Sequence, residues 1–435
     1  MKIHRLEVTN FRGFNQRTFT LSDQFNVLIG ENGAGKTAVL DALAIGAGSL
    51  FPGFSGERIE APYINRYDIR RVVYLKDGIA TAEQQVPVHV QCTGWLGDTE
   101  LTWRRSRLRG VVRMDEINRY DSEDPLHVLA ARWQRQVQAG EDITLPLISH
   151  YGTGRLWLRG KGLTLRPTPP SSRLKGYVGC LDPASNQRLL LEWFKRMELV
   201  QLQQSRTIGA LAAVKNAVAR CMEGWKRVWF DINHNDLLAE AEDGRQLPFR
   251  MLSDGVRNML AMVTDIAYRA AVLNPHLGER AAEQTPGIVL IDELDLHLHP
   301  KWQRRVVEDL RTTFPLVQFV ATTHSPFIIQ SLRPGELINL EEEAPSEPPS
   351  QSIEDIAEQV MGVEVPQRSE RYQEMMKAAE EYYRVLQEAK ATTSPEQREA
   401  LKRKLDELSE PFSDNVAYHA FLRMEREAAG LGEEP

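Results

Sequence analysis

Eight consecutive residues carry the strongest chemical signal in the chain: Gly30-Glu31-Asn32-Gly33-Ala34-Gly35-Lys36-Thr37, a fit to G-x-x-x-x-G-K-[ST]. Glycines at this spacing let backbone N–H groups turn inward around a phosphate, because they tolerate left-handed backbone. Chance produces the pattern in on the order of one chain in a hundred of this length, so its surroundings must be checked. An apolar run, Phe25 to Ile29, precedes it, and Lys36 to Ala47 follow with Val39, Leu40, Leu43 and Ala44 on one side of a helix. Strand, loop and helix are what a phosphate loop needs. The backbone of Asn32, Gly33, Ala34, Gly35, Lys36, Thr37 and Ala38 is therefore expected to cradle a nucleotide. The Lys36 ammonium would reach the β- and γ-oxygens and the Thr37 hydroxyl would ligate Mg²⁺.

A second constellation, Gly287-Ile288-Val289-Leu290-Ile291-Asp292-Glu293, ends an apolar strand in two carboxylates. Such a strand delivers Asp292 to the carboxyl edge of a parallel sheet, beside the metal, and Glu293 can polarise the attacking water. ATP with Mg²⁺ is the implied ligand pair. An acidic pair also begins many helices, so its weight comes from standing downstream of the phosphate loop.

Two further motifs bring the chain to a family. Met251-Leu252-Ser253-Asp254-Gly255-Val256-Arg257-Asn258 resembles the L-S-G-G-Q signature of ABC-type ATPases, and His324 in Ala321-Thr322-Thr323-His324-Ser325-Pro326 resembles that family's switch histidine. All four motifs stand in the family's order. The resemblance implies a composite site, in which Ser253 and Gly255 of one subunit cap the γ-phosphate bound by another, with Glu293 and His324 as catalytic residues. Asp254 departs from the pattern, replacing its first glycine with a carboxylate. The opening Leu6-Glu7-Val8-Thr9-Asn10-Phe11-Arg12-Gly13-Phe14 and the stretch Asp292 to Pro300 resemble RecF, SMC and OLD-type heads rather than transporter subunits. That likeness implies an approach of Arg12 to the phosphates and a loop, Asp295 to His299, facing the partner subunit. For His297 and His299, packing and capping of the next helix is the preferred role over a metal site. Ser149 to Arg155 and Arg173 to Asp182 resemble a bacterial group often described as predicted ATP-binding proteins involved in virulence, to which Septu-type anti-phage ATPase subunits look related. No glutamine stands in a Q-loop context.

These residues need a scaffold. At 435 residues the chain exceeds a single core, and alternating strands and helices imply an α/β fold with a largely parallel sheet. The expected architecture is an ABC-type P-loop head over residues 1–340, with a helical lid inserted at about 115–225. A Pro- and Ser-rich linker, 341–352, and a C-terminal helical docking region, 353–435, complete it. A hairpin around Gly94 to Asp98 carries Arg104, Arg105, Arg107, Arg109 and Arg113 after Trp103, and alternation places Arg105, Arg107 and Arg109 on one face. That face is a candidate nucleic-acid contact, its plainer alternative a solvated sheet surface.

Charge is distributed unevenly. From Glu341 onward 11 basic residues stand against 23 acidic ones, a net of −12, which leaves +5 on residues 1–340. Any polyphosphate contact is thus expected on the head. Three cysteines without a C-x-x-C pair exclude a disulfide framework, and no apolar run is long enough to span a membrane. A cytoplasmic chain without membrane contact is expected. The functional expectation is an ATPase that dimerises, or assembles further, around ATP and regulates a separate effector such as a nuclease or toxin, in anti-phage defence. A RecF- or SMC-like repair ATPase and a non-hydrolysing, ATP-locked scaffold are the alternatives.

Overall fold

Two compact units divide the chain, Met1–Ile356 and Ala357–Pro435. The computed structural model describes all residues except 57–58, 77–78, 110–123, 156–171, 184–186, 343–351, 364–368, 393 and 432–435.

In the first unit, β1 (Lys2–Phe11), β2 (Phe14–Thr20) and the hairpin β6 (Val88–Leu96) and β7 (Thr99–Arg107) form an antiparallel sheet in the order β2-β1-β6-β7. A separate hairpin, β4 (Arg71–Lys76) and β5 (Ile79–Gln84), precedes β6. The central sheet is wholly parallel. Its order is β14-β3-β13-β12-β8, from β3 (Phe25–Ile29), β8 (Leu147–Tyr151), β12 (Gly287–Ile291), β13 (Val317–Thr322) and β14 (Leu337–Asn339). Gln318 joins the two sheets, accepting from the Ile3 amide at 2.8 Å and donating to the Ile3 carbonyl at 2.7 Å. Phe25 stacks on Phe319 across neighbouring strands, their centroids 5.2 Å apart. Each ring is fully buried, so truncating either to alanine would cost about 3–5 kcal/mol.

Helix α1 (Lys36–Gly48) leads back from the phosphate loop between the sheets, touching β1, β6 and β7 on one side and β12 and β13 on the other. Sequence periodicity gives this helix one apolar face, yet every residue from Ala38 to Gly48 except Asp41 is buried. Being covered from both sides removes the need for a polar stripe. Trp103 fixes it to the hairpin by donating to the Gly46 carbonyl at 2.9 Å.

The expected helical lid is only partly helical. Among its described residues are α2 (Pro125–Gln138), α3 (Gln187–Gln204) and α4 (Gly209–Cys221), but Leu147–Tyr151 is the outer strand of the central sheet. All five of its residues are buried, so it shows no alternation to betray it. The two motifs flanking residues 156–171 meet here. Tyr151 donates to Asp265 at 2.8 Å, Asp265 accepts from Arg269 at 2.7 Å, and Arg269 donates to the carbonyls of Gly176 and Val178. The His150 amide donates to Cys180, so residues 173–183 cover the free edge of β8. Asp265 and Arg269 lie on α5 (Asp254–Leu273), which follows a three-stranded sheet of β9 (Trp225–Asp231), β10 (Asp236–Ala241) and β11 (Gln246–Pro248). Cys92, Cys180 and Cys221 are free and buried, and burial pushes the Cys180 thiol up to about 12.

The arginine hairpin corrects an expectation. Alternation does place Trp103, Arg105 and Arg107 on one face of β7, but that face is turned inward, and Arg104 and Ser106 point outward. Arg107 is buried and donates to the Ile64 carbonyl at 3.0 Å and the Arg109 carbonyl at 3.2 Å. It is a structural residue. Arg109 is exposed, and Arg113 lies outside the described residues.

The second unit contains α8 (Glu370–Ala391), α9 (Pro395–Ser409) and α10 (Val416–Ala428), following α6 (Val306–Thr313) and α7 (Pro326–Gln330) of the first. Tyr382, Val385, Leu386, Ala389, Leu405, Leu422 and Leu431 form its own core. Among the described residues no helix is long and apolar enough to cross a membrane.

Candidate functional site

The phosphate loop leaves β3 at Ile29 and enters α1 at Lys36. Gly33 and Gly35 adopt φ of +94° and +101°, a backbone other residues enter only under strain, which fixes glycine at both places. Lys36 Nζ donates to the loop's own carbonyls, Gly30 at 2.7 Å and Glu31 at 3.0 Å. Burial lowers its ammonium from the ordinary value, opposed by the carboxylates of Asp292, Glu341 and Glu293.

From the loop a chain of oxygens crosses the sheet edge. Thr37 Oγ1 donates to Asp292 Oδ2 at 3.0 Å, and Thr322 Oγ1 donates to Asp292 Oδ1 at 2.6 Å. The Glu293 amide in turn donates to Thr322 Oγ1 at 2.7 Å. Three parallel strands, β3, β12 and β13, thus bring Thr37, Asp292 and Thr322 together at their carboxyl ends. Thr322 closes β13 as Asp292 closes β12, a parallel the sequence contains but its motif did not flag. A hydroxyl beside a carboxylate is a hard oxygen set, which suits Mg²⁺ completing its shell with water and phosphate oxygens. Among the described residues no group of three or more His, Cys, Asp or Glu side chains gathers as metal ligands.

Glu293 has φ +51°, uncommon for a non-glycine residue and costing about 1–3 kcal/mol. Its amide bond to Thr322 and the bond from the Leu294 amide to the Thr322 carbonyl, 2.8 Å, hold that conformation. The following turn is anchored by Asp295, whose Oδ1 accepts from Thr323 Oγ1 at 2.5 Å and from the His324 amide at 3.3 Å. His324 itself is exposed just beyond β13. His299 accepts from the Lys301 amide at 3.2 Å and so caps the short helix Pro300–Gln303.

At the signature motif, Ser253 is the N-cap of α5, yet it is exposed and its side chain makes no capping bond. Gly255 has a different part: a Cβ there would collide with the His297 carbonyl, and Asn258 Nδ2 donates to Leu296 O at 3.4 Å. The helix start is therefore packed directly against the turn that follows Glu293.

Arg12, which the family resemblance would bring toward the phosphates, has carboxylate partners within the head. Its guanidinium lies between Asp41 at 2.6 Å and the buried Asp68 at 2.8 Å. Glu341, read from sequence as the first linker residue, instead accepts from the Glu31 amide, while Arg17 donates to the carbonyls of Leu340 and Glu342. Neither contact carries a sequence signal, since each spans more than three hundred residues.

The chain shares sequence with known proteins. Two family models match, one described as "AAA domain" over residues 5–217 and one as "AAA domain, putative AbiEii toxin, Type IV TA system" over residues 228–330. The chain is 24% identical to the "Retron Vc95 probable ATPase" of Vibrio cholerae serotype O1 biovar El Tor, covering 76% of this chain and 72% of that one. It is 26% identical to the "Septu protein PtuA" of Bacillus mycoides (strain KBAB4), covering 77% of this chain but 40% of the relative. Among solved structures, an SMC head bound to the C-winged helix domain of ScpA aligns with a TM-score of 0.44 at 14% identity, over 78% of this chain and 94% of that one. With its phosphate loop, acidic strand end and signature-like helix start beside one parallel sheet, the chain has the fold of an ABC-type P-loop head and is similar in sequence to Septu and retron ATPases.

Proposed function

We propose that this chain binds and hydrolyses ATP with Mg²⁺, that two heads close around the nucleotide, and that the cycle controls a separate effector in anti-phage defence. The observation that carries the reading is the Thr37–Asp292–Thr322–Glu293 chain at the end of three parallel strands. Asn32 to Ala38 cradle the phosphates, and Lys36 exchanges the Gly30 and Glu31 carbonyls for β- and γ-oxygens. Thr37 and Asp292 hold Mg²⁺, which neutralises charge on the phosphates when bound. Glu293, set by its left-handed backbone, polarises the attacking water, and His324 stands beside the γ-phosphate end. Ser253 of a second head completes the site from across the interface, its hydroxyl being free of a capping duty. The retron and Septu names of the relatives support a role in defence, and they favour a separate effector.

Turnover and assembly together test this reading. Purified chain should release phosphate from ATP and Mg²⁺, and its mass should double or rise further with ATP. Absence of both phosphate release and nucleotide-dependent assembly would refute the proposal. Co-purification with the product of the neighbouring gene then tests effector control.

A further inference from the structure

His150 is a buried group that nothing above uses. It lies opposite Leu290 in the β8–β12 pair and is 3% exposed. Its neighbour Tyr151 sends its hydroxyl to Asp265 on α5, so alternation along the strand turns His150 to the opposite face of the sheet, the side of α1. On α1, Asp41 stands one turn after Thr37 and therefore on the same side of the helix. The carboxylates of Asp41, Asp292 and Asp182 all act on the imidazole. Among the described residues no group hydrogen-bonds its Nε2.

An unmade bond at a buried ring nitrogen carries the full desolvation penalty, so native folds keep one where something else meets the atom. The surroundings say what that something must be. A neutral imidazole presents one N–H and one lone pair. The lone pair and the carboxylates, of which Asp41 is already paired with Arg12 and Asp292 already accepts from Thr37 and Thr322, are acceptors and disfavour a further acceptor such as a bare phosphate oxygen. They suit a group that only donates. Water on a divalent cation is such a group, because its oxygen is engaged by the metal and both protons remain to be given.

We propose that His150 is a positioning residue of the nucleotide site, its imidazole accepting a hydrogen bond from a water of the Mg²⁺ shell held at Thr37 and Asp292. This inference rests on the nucleotide reading above and adds a residue from the sheet's edge strand to it. Its consequence is thermodynamic: His150 strengthens nucleotide binding through the metal and leaves metal-free binding alone.

The test uses the full chain carrying Glu293→Gln, with ATP affinity measured in Mg²⁺ and in EDTA. Three variants are compared in that parent. His150→Gln places an amide oxygen where Nε2 stands, His150→Asn reaches only as far as Nδ1, and His150→Phe fills the volume without polarity. In Mg²⁺, Phe and Asn should weaken ATP binding about tenfold, as loss of one hydrogen bond to a charged centre does, while Gln stays within about threefold. In EDTA all three should match the parent within about twofold, the spread of a site left untouched. Should His150→Phe fail to fold, the contrast between Asn and Gln decides alone. Equal losses with and without Mg²⁺, or unchanged affinity in Mg²⁺, would overturn the assignment and leave the ATPase reading standing. A parent that binds no nucleotide would overturn both.

Discussion

Lys36 and Arg107 are both cations that spend their hydrogen bonds on backbone carbonyls, yet they belong to different kinds of place. Lys36 holds Gly30 and Glu31, six and five residues away in its own half-exposed loop. Arg107 holds Ile64, 43 residues away, inside the head. A phosphate can take Lys36 from its carbonyls because those carbonyls then turn to water. Nothing can take Arg107 without leaving the Ile64 carbonyl buried and unmade. A cation is free for a ligand when its present partners are local and wet, and it is structural when they are distant and dry.

The largest expected effect tests the wet end. Glu293→Gln keeps the loop, the Asp292 ligand and the backbone bond to Thr322, so ATP and Mg²⁺ binding should persist while turnover falls about 10²- to 10⁴-fold. Trapped ATP should then accumulate the head-to-head assembly, and Lys36→Ala should prevent it by weakening ATP binding about a hundredfold, for loss of a charge-assisted pair of bonds. Both should melt at the parent temperature. Sedimentation with and without ATP separates the variants, and an assembly indifferent to nucleotide and to both substitutions would break the composite-site reading.

Next comes the dry end. Arg107→Glu replaces a buried, bonded cation with a buried carboxylate facing two carbonyls, and should destabilise the head by about 3–5 kcal/mol, the scale of an uncompensated buried charge. Arg104→Glu, on the outward face of the same strand, should stay within about 0.5 kcal/mol. Denaturant unfolding of the two variants reads the difference directly. Salt-dependent DNA or RNA binding that falls for Arg104→Glu would restore part of the basic hairpin to nucleic-acid contact, now through its outward arginine.

This contrast also marks what a sequence can and cannot convey. The phosphate loop was legible because positive φ at Gly33 and Gly35 restricts residue type, so chemistry and backbone are written in the same letters. A largely parallel sheet with Asp292 at its carboxyl edge followed from apolar runs ending in polar residues, whereas the place of β13 between β3 and β12 did not. Alternation grouped Arg105 and Arg107 on one face of β7 as expected, but Arg109 lies beyond the end of the strand, and the pattern carried no information on which face is covered. For β8, burial on both faces erased the period altogether. The partners of Arg12 and Glu341 were not legible for a related reason, since Asp41, Asp68 and the Glu31 amide meet them only through tertiary packing.

A smaller effect distinguishes two neighbours in the signature turn. Gly255→Ala drives a Cβ into the His297 carbonyl and should cost about 1–3 kcal/mol, as overpacking does, with a lowered melting temperature. Ser253→Ala removes an exposed hydroxyl with no partner in its own cap, so stability should hold while the Glu293→Gln assembly weakens. Loss of stability in Ser253→Ala with assembly intact would reverse the two roles.

The smallest effect on the head is expected from removing residues 357–435. That unit has its own core around Tyr382, Leu405 and Leu422, closed by a bond from the Tyr382 hydroxyl to the Leu422 carbonyl at 3.2 Å. A stripe read along its first helix divides in the fold: Met375 and Ala379 are buried, while Tyr372 and Met376 are 39% and 37% exposed, and on α10 Phe421 and Met424 are exposed as well. A unit with its own core can fold apart from the head, and truncation then separates partner docking from bracing. All four nucleotide motifs lie in the first unit, so the truncated chain should remain soluble and hydrolyse ATP within about twofold of the parent, the range of a change remote from the site. It should no longer retain the effector in a pull-down. An aggregated or inactive truncation would make the unit a brace for the head, and a soluble one that still retains the effector would move the docking surface onto the first unit.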